Sequence, residues 1–78
     1  MNIEIITPDK KLFSGEVSSV QFPGSDGSFG VLNNHSPLIA TLKKGNINLT
    51  ESSNQNHSFS INGGVVEVLN NKITVLAE

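Results

Sequence analysis

Gly24-Ser25-Asp26-Gly27-Ser28-Phe29-Gly30-Val31-Leu32-Asn33-Asn34-His35-Ser36-Pro37-Leu38 is the stretch on which the fold turns. Gly24, Gly27 and Gly30 recur at intervals of three, a density that no stable helix interior tolerates, because glycine forfeits backbone entropy there. The same residues suit a surface loop that folds back tightly before a strand over Ser28 to Leu32. A polar turn at Asn33-Asn34 then leads to His35 and Pro37.

Outward from this loop the apolar residues recur with period two. Ile3 and Ile5 alternate with Asn2 and Glu4; Ile47 and Leu49 alternate with Asn46, Asn48 and Thr50; Phe59 and Ile61 alternate with Ser58, Ser60 and Asn62; Ile73 and Val75 alternate with Lys72 and Thr74. Such strands bury one face and solvate the other, the pattern of antiparallel sheets. Turn residues punctuate the chain at Pro8-Asp9, Ser14-Gly15, Pro23-Gly24, Asn33-Asn34, Lys44-Gly45, Ser52 to Asn56, Gly63-Gly64 and Asn70-Asn71. This spacing is that of a sandwich or barrel. Asn70-Asn71 suits a two-residue hairpin, because asparagine enters the left-handed region more easily than most residues. Asn34 can take positive φ for the same reason.

Two segments break the pattern. Between Val17 and Val20 the apolar phase slips by one, which a β-bulge would absorb. Ser36 to Gly45 reads on its own as a short helix, with Ser36 as N-cap, Pro37 at the first position and Gly45 as the stop. At about two turns that helix would be marginal, and Ile39 and Thr41 favour a strand.

Composition narrows the function. A chain of 78 residues is one small domain, with roughly 60% of the unfolded surface buried on folding. The basic residues are all lysine, at Lys10, Lys11, Lys43, Lys44 and Lys72, and the formal net charge is −2. Without arginine there is no bidentate phosphate or carboxylate recognition, and without a basic excess there is no electrostatic footprint for nucleic acid. Cysteine is absent, so neither a disulfide, nor a thiolate nucleophile, nor a Cys-based zinc site can form. The start lacks the basic and apolar regions of a signal peptide, and no apolar run approaches the ~18 residues of a membrane span. The expectation is a soluble, cytoplasmic protein.

No catalytic or metal constellation stands out. A general base needs a substrate or nucleophile within reach and an orienting group. His35 has only its sequence neighbour Ser36, which in an extended chain points the other way. It reads as a turn histidine that bonds backbone or a partner. His35 and His57 are the only histidines and neither has an acid at ligand spacing; Asp9 and Asp26 are isolated turn residues. No metal and no cofactor is expected. Gly24 to Gly30 has neither G-x-G-x-x-G order nor a terminal Gly-Lys-Ser/Thr, and no helix start follows it to bind phosphate. Phe13, Phe22, Phe29 and Phe59 read as core, since a base-stacking platform would want flanking cations. Thr50 to His57 reads as a polar hairpin tip.

Three ordered segments carry a family resemblance. Gly24 to Leu38 resembles the pattern G-x-x-G-x-[FL]-G-V-L-x-x-H-x-P-L of the epsilon subunit of F-type ATP synthases. The opening Met1 to Val17, with Thr7-Pro8 and Phe13-Ser14-Gly15, is similar to that family's first two strands and their turn. Asn62 to Val68 and Ile73 to Glu78 resemble its last hairpin, G-G-x-x-E-V…V-T-V-L-A. Asn33-Asn34 departs from the family, which usually has glycine before the histidine.

The resemblance implies a single all-β domain over residues 1–78, a small antiparallel β-sandwich or flattened barrel of about eight to ten short strands, with a strand rather than a helix in Ser36 to Gly45. It implies a non-catalytic central-stalk rotor subunit, peripheral on the cytoplasmic side of the bacterial inner membrane, that links the gamma subunit to the membrane c-ring in proton-driven ATP synthesis. Ser25, Asp26, Gly27 and Ser28 are expected to face the c-ring; Leu32, Asn34, His35, Pro37 and Leu38 are expected to face gamma. Family members commonly continue past the V-T-V-L-A strand into two helices, whereas this sequence stops at Glu78. The expectation is coupling without inhibition by helix extension. The rival reading is a free-standing binding or carrier module of the biotinyl or lipoyl kind, but Lys43-Lys44-Gly45 lacks the flanks of an acceptor lysine.

Overall fold

In the computed structural model, which describes residues 1–78, the period-two pattern becomes strands throughout and no helix forms. The strands are β1 (Asn2–Ile6), β2 (Lys11–Phe22), β3 (Phe29–Leu32), β4 (Leu38–Leu42), β5 (Gly45–Glu51), β6 (Asn56–Ile61), β7 (Gly64–Leu69) and β8 (Lys72–Ala77). Hydrogen bonding runs in the order β4-β7-β8-β1-β2-β5-β6, with β3 attached to β2.

The long strand β2 turns this ribbon into two layers. Its first half, Lys11 to Glu16, pairs with β1. Its second half pairs with β5 from Val17 and with β3 from Ser19. The first layer is therefore β4-β7-β8-β1 with the start of β2, and the second is β3, the end of β2, β5 and β6. The expected bulge lies where the strand changes layer: Val17 opposes Glu51 and Ser19 opposes Thr50, leaving Ser18 as the extra residue. This is why Val17 and Val20, three apart, are both buried. A second irregularity falls between Ile5 and Ile6, which oppose Phe13 and Lys11 and leave Leu12 over.

The ambiguous segment resolves as β4, paired antiparallel with β7 from Leu38↔Val68 to Leu42↔Gly64. Leu42 is buried, and Leu38 and Ala40 pack on the core from the same side. An edge in need of a partner and three inward residues at period two outweigh a two-turn helix. One pairing departs from the antiparallel expectation: β1 and β8 run parallel, Asn2↔Lys72 to Ile6↔Leu76. Strands from the two ends of a chain have no tight turn between them, so the antiparallel restriction of hairpins does not apply.

The core lies between the layers, with Phe22, Ile5, Ile47, Val31, Val66, Ile73 and Val75 fully buried and no buried polar residue. At one end of the interior, His57 faces inward opposite Leu49. Its ring stacks on Phe59 and tilts against Phe13, and its Nε2 meets the Glu51 carboxylate. The polar hairpin tip thus sends one residue of its base into an aromatic cluster. The β7–β8 connection is the expected two-residue turn, with φ of 51° at Asn70 and 63° at Asn71, values of a type I′ hairpin.

Candidate interaction surfaces

The two segments expected to meet partners lie at the two ends of β3, the first of them bridged to the end of β4 through Gly24 and Leu42. Ser25, Asp26, Gly27 and Ser28 are exposed at the start of β3, and the turn carrying Asn34, His35 and Pro37 is at its end. Four strand residues separate them, about 13 Å.

The first loop is held rigidly. Gly24 forms a bridge with Leu42. Ser25 N–H donates to Thr41 O at 3.0 Å, Lys43 N–H donates to Pro23 O at 2.9 Å, and Gly27 N–H closes the turn on Gly24 O at 3.0 Å. Thr41 Oγ1 donates to Ser25 Oγ at 3.0 Å. Gly24 is obligatory, because a methyl group there would lie 2.5 Å from Gly27 O and 2.9 Å from the Phe29 ring. Gly27 has φ of 128° and open space around it, so conformation rather than crowding demands glycine. Between this loop and β4 lies a cleft of about 220 Å³ with Phe29, Leu38 and Ala40 among its walls.

The second segment is a β-turn closed by His35 N–H donating to Leu32 O at 3.2 Å. Only Asn34 among its central residues has positive φ, 65°, as a type II turn requires at its third position. Asparagine thus stands in for the family's glycine. The turn is clamped to the β7–β8 hairpin: Asn34 N–H donates to Asn71 Oδ1, and Asn71 Nδ2 donates to Asn33 Oδ1, both at 2.8 Å. His35 Nδ1 donates to Ser36 O at 2.7 Å. Its ring is therefore oriented by backbone and not by a carboxylate, the arrangement of the turn reading. Leu32 and Pro37 are exposed and Leu38 is half-buried.

No three of the His, Asp and Glu side chains converge; besides the His57–Glu51 contact, Glu4 meets Lys11 at 3.0 Å and Glu16 meets the Met1 ammonium at 3.3 Å.

Sequence reasoning missed the largest feature, the outer face of the first layer. Pairing sets Thr41, Val65, Leu76 and Ile6 in one row across β4, β7, β8 and β1. Ile39 and Leu69 lie on the same face, and Ile39 and Leu76 are 73% and 58% exposed. A groove of about 770 Å³ runs along this face, with Ile6, Pro8, Val65 and Leu76 in its walls. A second, shallower one lies beside the turn segment, with Pro37, Ile39, Glu67 and Leu69 in its walls. The available signal was that Val65-Val66, Val68-Leu69 and Val75-Leu76-Ala77 break the alternation and are apolar on both faces, as strands covered on both sides are.

Comparison with known proteins accords with this architecture. Residues 1–78 match the family described as ATP synthase, Delta/Epsilon chain, beta-sandwich domain. The chain is 47% identical over 76 residues to the ATP synthase epsilon chain of Desulfatibacillum aliphaticivorans, with 97% of this chain and 54% of that protein covered. It is likewise 47% identical over 76 residues to the epsilon chain of Chlorobium limicola, of which 86% is covered. It thus spans about half the length of the first relative and most of the second. Among solved structures, a chain of the Euglena gracilis mitochondrial ATP synthase superposes with a TM-score of 0.89 at 18% identity, over 96% of this chain and 48% of that one. A chain from the central stalk and c-ring of the Tetrahymena thermophila mitochondrial enzyme gives 0.80 at 23%, over 99% and 62%. These distant likenesses concern the fold; the end-to-end family match and the close relatives establish that the chain belongs to the delta/epsilon-chain β-sandwich family of ATP synthases.

Proposed function

We propose that this β-sandwich is a non-catalytic module of the ATP synthase rotor stalk, joining the gamma subunit to the c-ring on the cytoplasmic side of the bacterial inner membrane. The observation that carries the reading is the family match over residues 1–78 together with 47% identity to ATP synthase epsilon chains over 97% of the chain. Its surfaces suit the task. Ser25, Asp26, Gly27 and Ser28 form a short polar loop held by hydrogen bonds to β4 and its connection, chemistry that fits the hydrophilic loops of a ring. The Leu32 to Leu38 turn leads through Pro37 to Ile39 and Leu69, on the face that also exposes Val65 and Leu76, chemistry that fits a permanent contact with gamma, since lasting interfaces have apolar centres. Eight strands joined in one hydrogen-bonded ribbon and closed over a core without buried polar residues make a stiff body that passes torque between two partners without deforming.

The test is assembly. The chain is added to gamma-containing headpiece and c-ring from which epsilon has been removed, and its retention and the coupling of ATP hydrolysis to ion pumping are measured. The expected result is stoichiometric retention and restored coupling. Asp26→Arg combined with His35→Ala should weaken retention while the circular dichroism spectrum stays unchanged. A chain that binds neither gamma nor the ring would overturn the proposal.

A further inference from the structure

Asn62-Gly63, in the connection between β6 and β7, is the one place in the chain where glycine follows asparagine. The Asn62 side chain is exposed. Two backbone bonds fix the segment against the end of the chain: Asn62 N–H donates to Glu78 O and Glu78 N–H donates to Gly63 O, both at 2.9 Å. The Gly63 N–H itself has no acceptor, neither among the backbone bonds of turns and loops nor on a side chain. Gly63 exposes little surface as a residue, but its unpaired N–H adjoins the exposed Asn62 side chain.

We propose that Asn62 is a self-modification site, at which the chain converts its own amide to a carboxylate. The Gly63 nitrogen loses its proton to solvent hydroxide and attacks Asn62 Cγ. A nitrogen–carbon bond forms, the Cγ–NH2 bond breaks, and ammonia leaves. Water then opens the five-membered imide at one of its two carbonyls. Opening at the side-chain carbonyl gives aspartate; opening at the main-chain carbonyl gives the β-linked isomer, with one extra carbon in the backbone.

Three features concentrate the reaction here. Glycine presents no side chain to hinder approach of its nitrogen. The attacking N–H has no hydrogen bond to give up. The departing amide is open to solvent. Elsewhere these do not coincide: the nitrogens that would attack Asn33 and Asn34 are engaged, Asn34 N–H with Asn71 Oδ1 and His35 N–H with Leu32 O.

The product alters the surface. The new carboxylate appears beside the Glu78 carboxylate, whose Oε1 lies close over Gly63, and on the rim of the groove that contains Val65 and Leu76. The β-linked form also lengthens the chain just before Gly64, where the backbone packs directly on Leu76.

The experiment incubates the folded chain in warm, mildly alkaline buffer and follows it by intact mass and by fragmentation that separates aspartyl from β-aspartyl peptides. The expected result is that the amide-to-acid mass gain appears at Asn62 before any other asparagine, in both linkage forms. The imide, lighter by one ammonia, should be recoverable on acidification. Asn62→Ser should remove the early product without changing the circular dichroism spectrum. Conversion at another asparagine while Asn62 stays intact would overturn the proposal, as would conversion of Asn62 only in a denatured control.

Discussion

Asn34 holds a left-handed conformation, φ 65°, in the turn that presents His35. An L-residue with a Cβ resists this region by roughly 1–2 kcal/mol, and asparagine resists it less than most. Asn34→Gly should therefore leave stability unchanged or slightly raised, and Asn34→Val should cost about 1–2 kcal/mol, read from the midpoint of urea unfolding. Gly64 is stricter. Its φ is 150°, and a methyl group there would run into the Leu76 carbonyl and the Ala77 backbone. Backbone cannot yield as a side-chain tip does, so Gly64→Ala should cost more than about 3 kcal/mol and broaden or abolish thermal unfolding. Much at this scale was legible. Glycine and asparagine at Gly24, Gly27, Asn34, Asn70 and Asn71 announce turns through their own conformational freedom. What could not be read was where their hydrogen bonds go: that Asn33 and Asn71, far apart in sequence, are partners depends on the completed fold.

The element that decides the architecture is β2. Its two halves serve different layers, and Ser18 is the residue that lets both present apolar side chains to one core. Because side chains alternate along a strand, a slip of one residue reverses every face. Deleting Ser18 should turn Val20 and Phe22 toward solvent, and the chain should lose its cooperative unfolding transition by circular dichroism. Phe22→Ala, at a fully buried site, keeps the register and opens a cavity instead; the expected cost is about 3–5 kcal/mol with the two-state transition preserved. The bulge was legible because Val17 and Val20 cannot share a face of a regular strand. Strict alternation located the centres of β5, β6 and β8, but not their ends: Thr50, Glu51, Asn56 and His57, read as hairpin tip, are paired in β5 and β6, and β8 runs on to Ala77. For β4, a local pattern compatible with helix or strand could not decide, and its pairing with β7 did. The parallel union of β1 and β8 left no local trace, because each alternates equally well beside any neighbour.

Across the whole molecule the two layers differ in what they turn outward. The outer face of the second layer carries Ser19, Gln21, Asn48, Thr50 and Ser58, with Leu32 at its edge. The outer face of the first carries Val65, Leu76 and Ile6 side by side, with Ile39 and Leu69 set around the polar row of Glu67, Thr74 and Glu4. A monomer gains nothing by exposing a contiguous apolar row, so such a face marks a contact. The alternation rule concealed it, since it assigns each strand one apolar face, whereas β7 also turns Val65 and Leu69 outward around Glu67, and β8 turns Leu76 outward beyond Lys72 and Thr74. If the apolar face meets gamma and the Ser25 to Ser28 loop meets the ring, the two contacts should be separable by mutation. Leu76→Lys with Val65→Lys removes no buried side chain, so the change in unfolding free energy should stay within about 1 kcal/mol. Capture of the chain by isolated gamma should nonetheless fall at least tenfold, because two charges would have to be desolvated in the middle of an apolar contact. Asp26→Arg alone should leave capture by gamma intact and weaken only the assembly that includes the ring. Equal loss of both contacts in either variant would mean that one continuous surface serves both partners, and undiminished capture of the double lysine variant by gamma would remove the apolar face from the interface altogether.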